Sequence, residues 1–196
     1  MKKKKNKDIV FLLDRSGSMY EFTNDTIGGY NSYLEKERKN KNTKITTLLF
    51  DDEYEVLHDR IDINNVKNIT NKEYYTRGCT ALYDAIGKTI VSLDKKDTNK
   101  VLFVITTDGL ENASVEYNRD SVRSLIKKHD NWEFIYIGAN IDSYVEGSKI
   151  GIKKDNIANR SNSSEGMAKM FGAVARASDM YEEVEAIDLS WKEELD

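Results

Sequence analysis

The chain has 196 residues, 39% of them hydrophobic and 33% charged, which excludes a disordered polymer and suits one soluble domain with a real core. A net charge of -4 argues against nucleic acid as the main partner. The single Cys excludes an internal disulfide framework and fits a reducing, cytoplasmic setting.

In chain order, residues 1–7 read MKKKKNK, a basic tip expected to be a solvated tail. The apolar run that follows is too short for an export signal or a membrane span, so no membrane partner is expected. Residues 8–14 read as a first strand, because Ile9 to Leu13 is continuously apolar, as in a parallel sheet covered on both faces. Tyr20 to about Lys39 has helical spacing at Phe22, Ile27, Tyr30 and Leu34, weakened near its start by Gly28-Gly29. Ile45 to Phe50 is a β-branched, apolar second strand. The turn Asp51-Asp52-Glu53 leads to a strand at Tyr54–His58, and so short a connection predicts an antiparallel hairpin at a sheet edge.

Residues 61–75 predict irregular or short helical structure. After the loop Thr76 to Thr80, helical spacing at Leu82, Ile86 and Ile90 places Thr80 at a helix start. Val101 to Ile105 predicts a central strand ending in Thr106-Thr107-Asp108-Gly109. A helix over 120–128, a buried strand over 133–137, a short helix over 142–149, a short strand at 157–158 and a helix over 163–178 complete the pattern. Strands alternating with helices predict a mostly parallel sheet of about six strands, one of them an antiparallel edge, with helices on both faces. In the tail, Met180, Val184, Ile187, Trp191 and Leu195 recur at helical steps among acidic residues. This predicts an amphipathic helix over 179–196, broken near Ser190, packed on its own domain or docking a partner.

Three stretches carry chemistry. Asp14-Arg15-Ser16-Gly17-Ser18 follows the first strand, Thr80 opens a helix, and Asp108 follows the central strand. Each falls at the carboxyl edge of the sheet, where open α/β sheets bind ligands. An Asp-x-Ser-x-Ser string by itself also fits a capped turn. Three loops supplying oxygens to one edge suit a hard cation instead. Mg²⁺ takes six oxygens in near-octahedral geometry, with Mn²⁺ and Ca²⁺ as alternatives. Ser16, Ser18 and Thr80 can bind it directly, while Asp14 and Asp108 hold its waters.

This arrangement resembles the von Willebrand factor type A (vWA) family and its metal-ion-dependent adhesion site. The family pattern of Asp-x-Ser-x-Ser, a distant Thr and a distant Asp is matched by Asp14, Ser16, Ser18, Thr80 and Asp108. The resemblance spans residues 8–178 and implies a three-layer α/β/α Rossmann-like fold. It also implies a non-enzymatic, Mg²⁺-dependent module that captures an Asp or Glu of a partner protein, as part of a larger intracellular assembly. The wording Asp-Arg-Ser-Gly-Ser-Met and Thr-Asp-Gly-x-Glu-Asn is most similar to bacterial and phage intracellular members. Some relatives regulate ATPase machines, which gives an alternative role.

Other chemistries fit less well. A serine hydrolase needs a base beside Ser16 or Ser18, and His58 and His129 are both expected at the surface. Gly87-Lys88-Thr89 has the tail of a phosphate loop but falls inside a helix. One Cys and two His do not make a zinc site. A Mg²⁺-dependent phosphate-ester hydrolase is the enzymatic rival, yet the Asp14 loop lacks a second carboxylate. Cys79 is expected to pack beneath its loop. Glu111 and Asn112 either shape the site rim or are turn residues, while Tyr20 and Arg77 are further rim candidates. Asn140 and Asp142 are expected to cap a loop and a helix.

Overall fold

The computed structural model describes residues 7–40, 42–96, 98 and 100–195. Six strands, β1 (Lys7–Asp14), β2 (Thr43–Phe50), β3 (Tyr54–Asp62), β4 (Val101–Thr107), β5 (Glu133–Gly138) and β6 (Ile157–Asn159), form one sheet in the order β3-β2-β1-β4-β5-β6. All neighbours pair parallel except β2 and β3. Five helices cover it: α1 (Thr23–Glu37), α2 (Leu82–Asp94), α3 (Arg119–Lys128), α4 (Ser143–Lys149) and α5 (Ser164–Val184).

β1 is buried along its whole length. Its side chains alternate, so Ile9, Phe11 and Leu13 join a core with α1 and α5, while Val10 and Leu12 join a second core with α2 and α3. Between the two apolar layers the strand is apolar at every position from Ile9 to Leu13, which is why this run carries no polar alternation, and its buried polar residues Lys7, Asp8 and Asp14 fall at its ends. α1 and α5 meet closely because Gly29 has no side chain: a Cβ there would lie 2.2 Å from the Phe171 ring.

The structure departs from the sequence pattern at several places. The expected basic tip loses its last residue to β1, and Met1 to Asn6 lie outside the described residues. Lys7 is buried, and its Nζ donates to Glu37 Oε2 at 3.2 Å and Ser178 Oγ at 2.9 Å. A 3-10 turn over Gly17–Phe22 precedes α1. β3 runs on to Asp62 before a 3-10 turn at Ile63–Asn65, replacing part of the irregular stretch. Its pairing rests on backbone bonds across two register shifts, which leave no side-chain period to read.

α5 continues past Ser178 to Val184, where Glu185 takes a left-handed conformation at φ 57°. The tail is therefore not one amphipathic helix broken near Ser190. The break falls at Glu185, and the chain returns through a 3-10 turn at Leu189–Lys192. This brings Trp191 into the α1/α5 core, with its indole N–H donating to Asp155 O at 2.9 Å. Trp191 is fully buried, while Val184 and Leu189 stay exposed.

Candidate metal centre

The chain leaves β1 toward β2 on one side and later returns to β4 on the other. That reversal opens a crevice beyond the carboxyl ends of β1 and β4. Asp14 is the last residue of β1, and Asp108 directly follows β4. Asp14 Oδ1 accepts from Ser16 N at 2.7 Å, which folds the first loop back over the strand end. Asp14 Oδ2 accepts from Thr107 Oγ1 at 2.6 Å, tying β1 to β4. Ser16 Oγ and Ser18 Oγ are 3.1 Å apart, and Ser18 Oγ donates to Asp108 Oδ1 at 2.5 Å. Four of the five residues singled out in the sequence are thus joined by one chain of hydrogen bonds.

Thr80 enters through Gly109. A Cβ on Gly109 would lie 3.3 Å from Thr80 Oγ1 and 3.9 Å from Ser18 Oγ. The two hydroxyls therefore both face the bare backbone of Gly109, where an added methyl would press on Thr80 Oγ1. Asp14, Ser16, Thr80 and Asp108 are buried, and Ser18 opens the cluster to solvent.

The electrostatics follow from that burial. Asp14 is pushed up to about 6, first by burial, which the hydrogen bonds from Thr107 and Ser16 oppose, and further by the charge of Asp108. Arg160 is buried close by, its guanidinium 5.5 Å from the Phe22 ring centre. Burial holds it below the ordinary arginine range against the pull of Asp108, Tyr74 and Asp14. Tyr74 OH donates to Asp14 O at 2.7 Å, fixing the backbone under the site.

The sequence did not single out Asp51 or Arg15, which help to hold the Thr80 loop. Asp51, at the β2–β3 turn, is fully buried. Its Oδ2 accepts from Arg15 Nε at 3.0 Å and Arg77 Nε at 2.7 Å, and its carbonyl accepts from Ala81 N at 2.7 Å. Arg77 N donates to Arg15 O at 2.8 Å, and Gly17 N donates to Gly78 O at 3.2 Å. Gly78 has φ +65°, and a Cβ there would come within 1.7 Å of Asp52 Oδ1, so the loop packs on the turn through a bare backbone. Arg15 and Arg77 both approach the Tyr75 ring, at 5.5 and 5.7 Å. The unnamed position inside Asp-x-Ser-x-Ser is therefore an anchor between loops. Its only signal in the sequence was a charged residue beside an apolar strand.

Asn112 and Glu111 also serve this loop. Asn112 Oδ1 accepts from Thr80 N at 2.9 Å, and Asn112 N donates to Thr80 O at 3.0 Å. The Glu111 carboxylate accepts from Tyr83 N at 2.8 Å, Ala113 N at 2.9 Å and Ser114 N at 2.7 Å. Arg77, engaged with Asp51 and Glu53, is likewise spoken for, whereas Tyr20 is exposed. Asp142 caps α4 by accepting from Val145 N, and Asn140 takes a left-handed φ of 56°.

Two expectations need correction. His129 is not a surface residue: it is buried at the foot of α3, with Nε2 2.5 Å from Asp94 Oδ1 and Nδ1 2.7 Å from Leu125 O. A residue closing a helix next to a carboxylate on a neighbouring helix becomes covered, which local sequence does not reveal. Cys79 is exposed rather than packed beneath its loop, because Asp52 and the backbone of Gly78 fill the space on the turn side. His58 is half-buried on β3, with Nδ1 3.5 Å from Tyr30 OH, and burial lowers its pKa. Gly87-Lys88-Thr89 lies within α2.

The donor set fits a hard cation. Among the described residues, no group of three or more His, Cys, Asp or Glu side chains forms a metal cage. A cation here would rest on hydroxyls, and Ser18 and Thr80 border the space under Gly109 that could admit one.

The sheet order and the helical layers define a three-layer α/β/α fold of the vWA type. The chain is similar to proximal thread matrix protein 1 from the mussel byssus, with TM-score 0.66 and 16% identity over 87% of this chain and 45% of that one. A structure of that protein with a zinc-occupied metal-ion-dependent adhesion site superposes at TM-score 0.66, with 15% identity over 88% of this chain and 46% of that one. The pilus adhesin SpaC from Lactobacillus rhamnosus GG gives TM-score 0.71, with 11% identity over 90% of this chain and 30% of that one. A von Willebrand factor type A protein from Catenulispora acidiphila gives 0.61, with 15% identity over 88% of this chain and 42% of that one. The chain spans less than half the length of these proteins. No family model and no curated protein matches it. Among the described residues, no helix is long and apolar enough to cross a membrane.

Proposed function

We propose that the chain is a divalent-cation-dependent protein-binding module, and that Asp14, Ser16, Ser18, Thr80 and Asp108 hold the cation. The observation that carries this reading is the hydrogen-bond chain Asp14–Ser16–Ser18–Asp108 closing on the space shared with Thr80. Mg²⁺ is the preferred ion on donor chemistry, with Mn²⁺ or Ca²⁺ as substitutes. When bound, such an ion supplies a Lewis-acidic position for an Asp or Glu carboxylate of a partner protein. The three hydroxyls are neutral, so the ion keeps charge toward solvent, where Ser18 opens the site. Exposed Tyr20, Tyr75 and Leu110 lie in the loops beside it and offer apolar contact around that carboxylate.

The similar structures point the same way, since they are adhesion and matrix proteins by name. A hydrolytic reading is weaker for a local reason. Both carboxylate oxygens of Asp14 are already engaged, by Ser16 N and Thr107 Oγ1, which leaves them poorly placed to take a proton from an attacking water. We place the module in the cytoplasm of a bacterial or phage-infected cell, on the single cysteine and the motif wording.

The test is a pull-down from bacterial lysate with the intact chain as bait, in Mg²⁺ and in excess EDTA. A partner retained only in Mg²⁺, and lost when one of its acidic residues is changed, supports the reading. Capture undiminished by EDTA and by Thr80→Ala contradicts it.

A further inference from the structure

We propose that the chain carries a second ligand site, for a small aromatic molecule bearing a negative charge, at the edge of the sheet opposite the Asp14 cluster. The site is a cavity of about 470 Å³ between the C-terminal half of α3 and the segments leading into β5 and β6. Asp14 and Asp108 sit at strand ends, whereas Trp132 and Ile152 precede strand starts, so the two places are separated by the length of the sheet.

Its floor is apolar. Ile126, Trp132, Phe134 and Ile152 line it, each no more than about one-twentieth exposed. Trp132 stacks obliquely on His129 at 4.2 Å and lies 6.0 Å from Phe134, giving a continuous aromatic wall. His129 is itself committed to Asp94 and to Leu125 O, so it serves as wall rather than as metal ligand. Gly151, at φ +89°, lets the loop after α4 run against Arg123, whose Cγ lies 3.3 Å from where a Cβ would be.

The mouth is cationic. Arg123 and Lys127 are four residues apart on α3, hence on one side of it, and both are exposed. Among the described residues neither has an ion-pair partner. Lys153 stands across the mouth. Of the two carboxylates there, Glu133 is engaged, lying 3.6 Å from Lys153 Nζ and accepting from Asn156 Nδ2 at 2.7 Å. Asp130 is the other. The balance favours an anion at the rim, and the volume suits a drug-sized ligand. A ligand ring would meet the exposed edges of Trp132 and Phe134, while the Arg123 fork takes a carboxylate or sulfonate.

The probe is 8-anilinonaphthalene-1-sulfonate, titrated into the intact chain and followed by its fluorescence and by the Trp132 indole N–H resonance. The proposal expects one saturable site that shifts the Trp132 signal and is indifferent to EDTA. The charge reversal Arg123→Glu with Lys127→Glu, on exposed side chains that leave the core intact, should weaken it at least about tenfold. The uncharged N-phenyl-1-naphthylamine should lose much less affinity in the same variant. Binding that leaves Trp132 unshifted, or that the double variant does not weaken, would overturn the proposal.

Discussion

Ser18 Oγ donates to Asp108 Oδ1 at 2.5 Å, joining two loops that are 90 residues apart in sequence. Nothing local requires these residues to meet. They meet because β1 and β4 are neighbours in the sheet and both loops leave the same edge.

Gly109→Ala should block the cation while leaving the fold in place. The added methyl would sit 3.3 Å from Thr80 Oγ1, in the space that Ser18 also borders. The expected result is a loss of the Mg²⁺-induced rise in melting temperature, with little change in EDTA. An undiminished Mg²⁺ response in this variant would move the cation elsewhere.

Arg77→Gln should weaken metal binding from outside the cluster. It removes the ion pair to buried Asp51 and leaves Arg15 as that carboxylate's cation. Arg77 is itself partly exposed, so the fold should survive. The Thr80 loop should loosen and Mg²⁺ affinity fall several-fold, with protection of the Thr80 amide in hydrogen exchange falling too. Equal affinity and protection in both proteins would reduce the Asp51 hub to packing.

Asp14 should make the metal-free protein more stable in mild acid. Its folded pKa, about 6, lies above the unfolded value of 3.8. Between the two the folded state binds the proton more tightly, so this contribution to stability is largest below 3.8 and is lost as pH rises through about 6. Asp14→Asn in EDTA should therefore be more stable than the wild type at pH 7, by an amount on the order of 3 kcal/mol before relaxation. The gap should close toward pH 4, as paired denaturant titrations would read directly. A gap that is constant with pH would place the cost outside Asp14 ionisation.

Trp191→Ala should destabilise the chain by about 3–5 kcal/mol, as expected for deleting a fully buried large aromatic. Chemical denaturation measures it. A loss under about 1 kcal/mol would mean the tail is held only loosely and is free to dock elsewhere.

The sheet was legible because β1, β4 and β5 are buried on both faces and carry a continuous apolar run through their middles. The cluster was legible because Asp14, Ser16, Ser18 and Asp108 follow those strands directly. Edge strand β3 and the tail were less so. β3 is held by backbone pairing to β2, and the tail turns on one left-handed residue, Glu185, of a type that favours no such turn. Asp51 was hidden for another reason: it holds the Thr80 loop through Ala81 N and Arg77, contacts across loops that leave no spacing in the sequence.

The most direct test of the central claim is a calorimetric titration of Mn²⁺ or Mg²⁺ into chelator-stripped protein, wild type beside Asp14→Ala and Thr80→Ala. The cluster predicts one saturable site in the wild type, weakened at least about tenfold in each variant. No binding in the wild type, or equal binding in all three proteins, would contradict it.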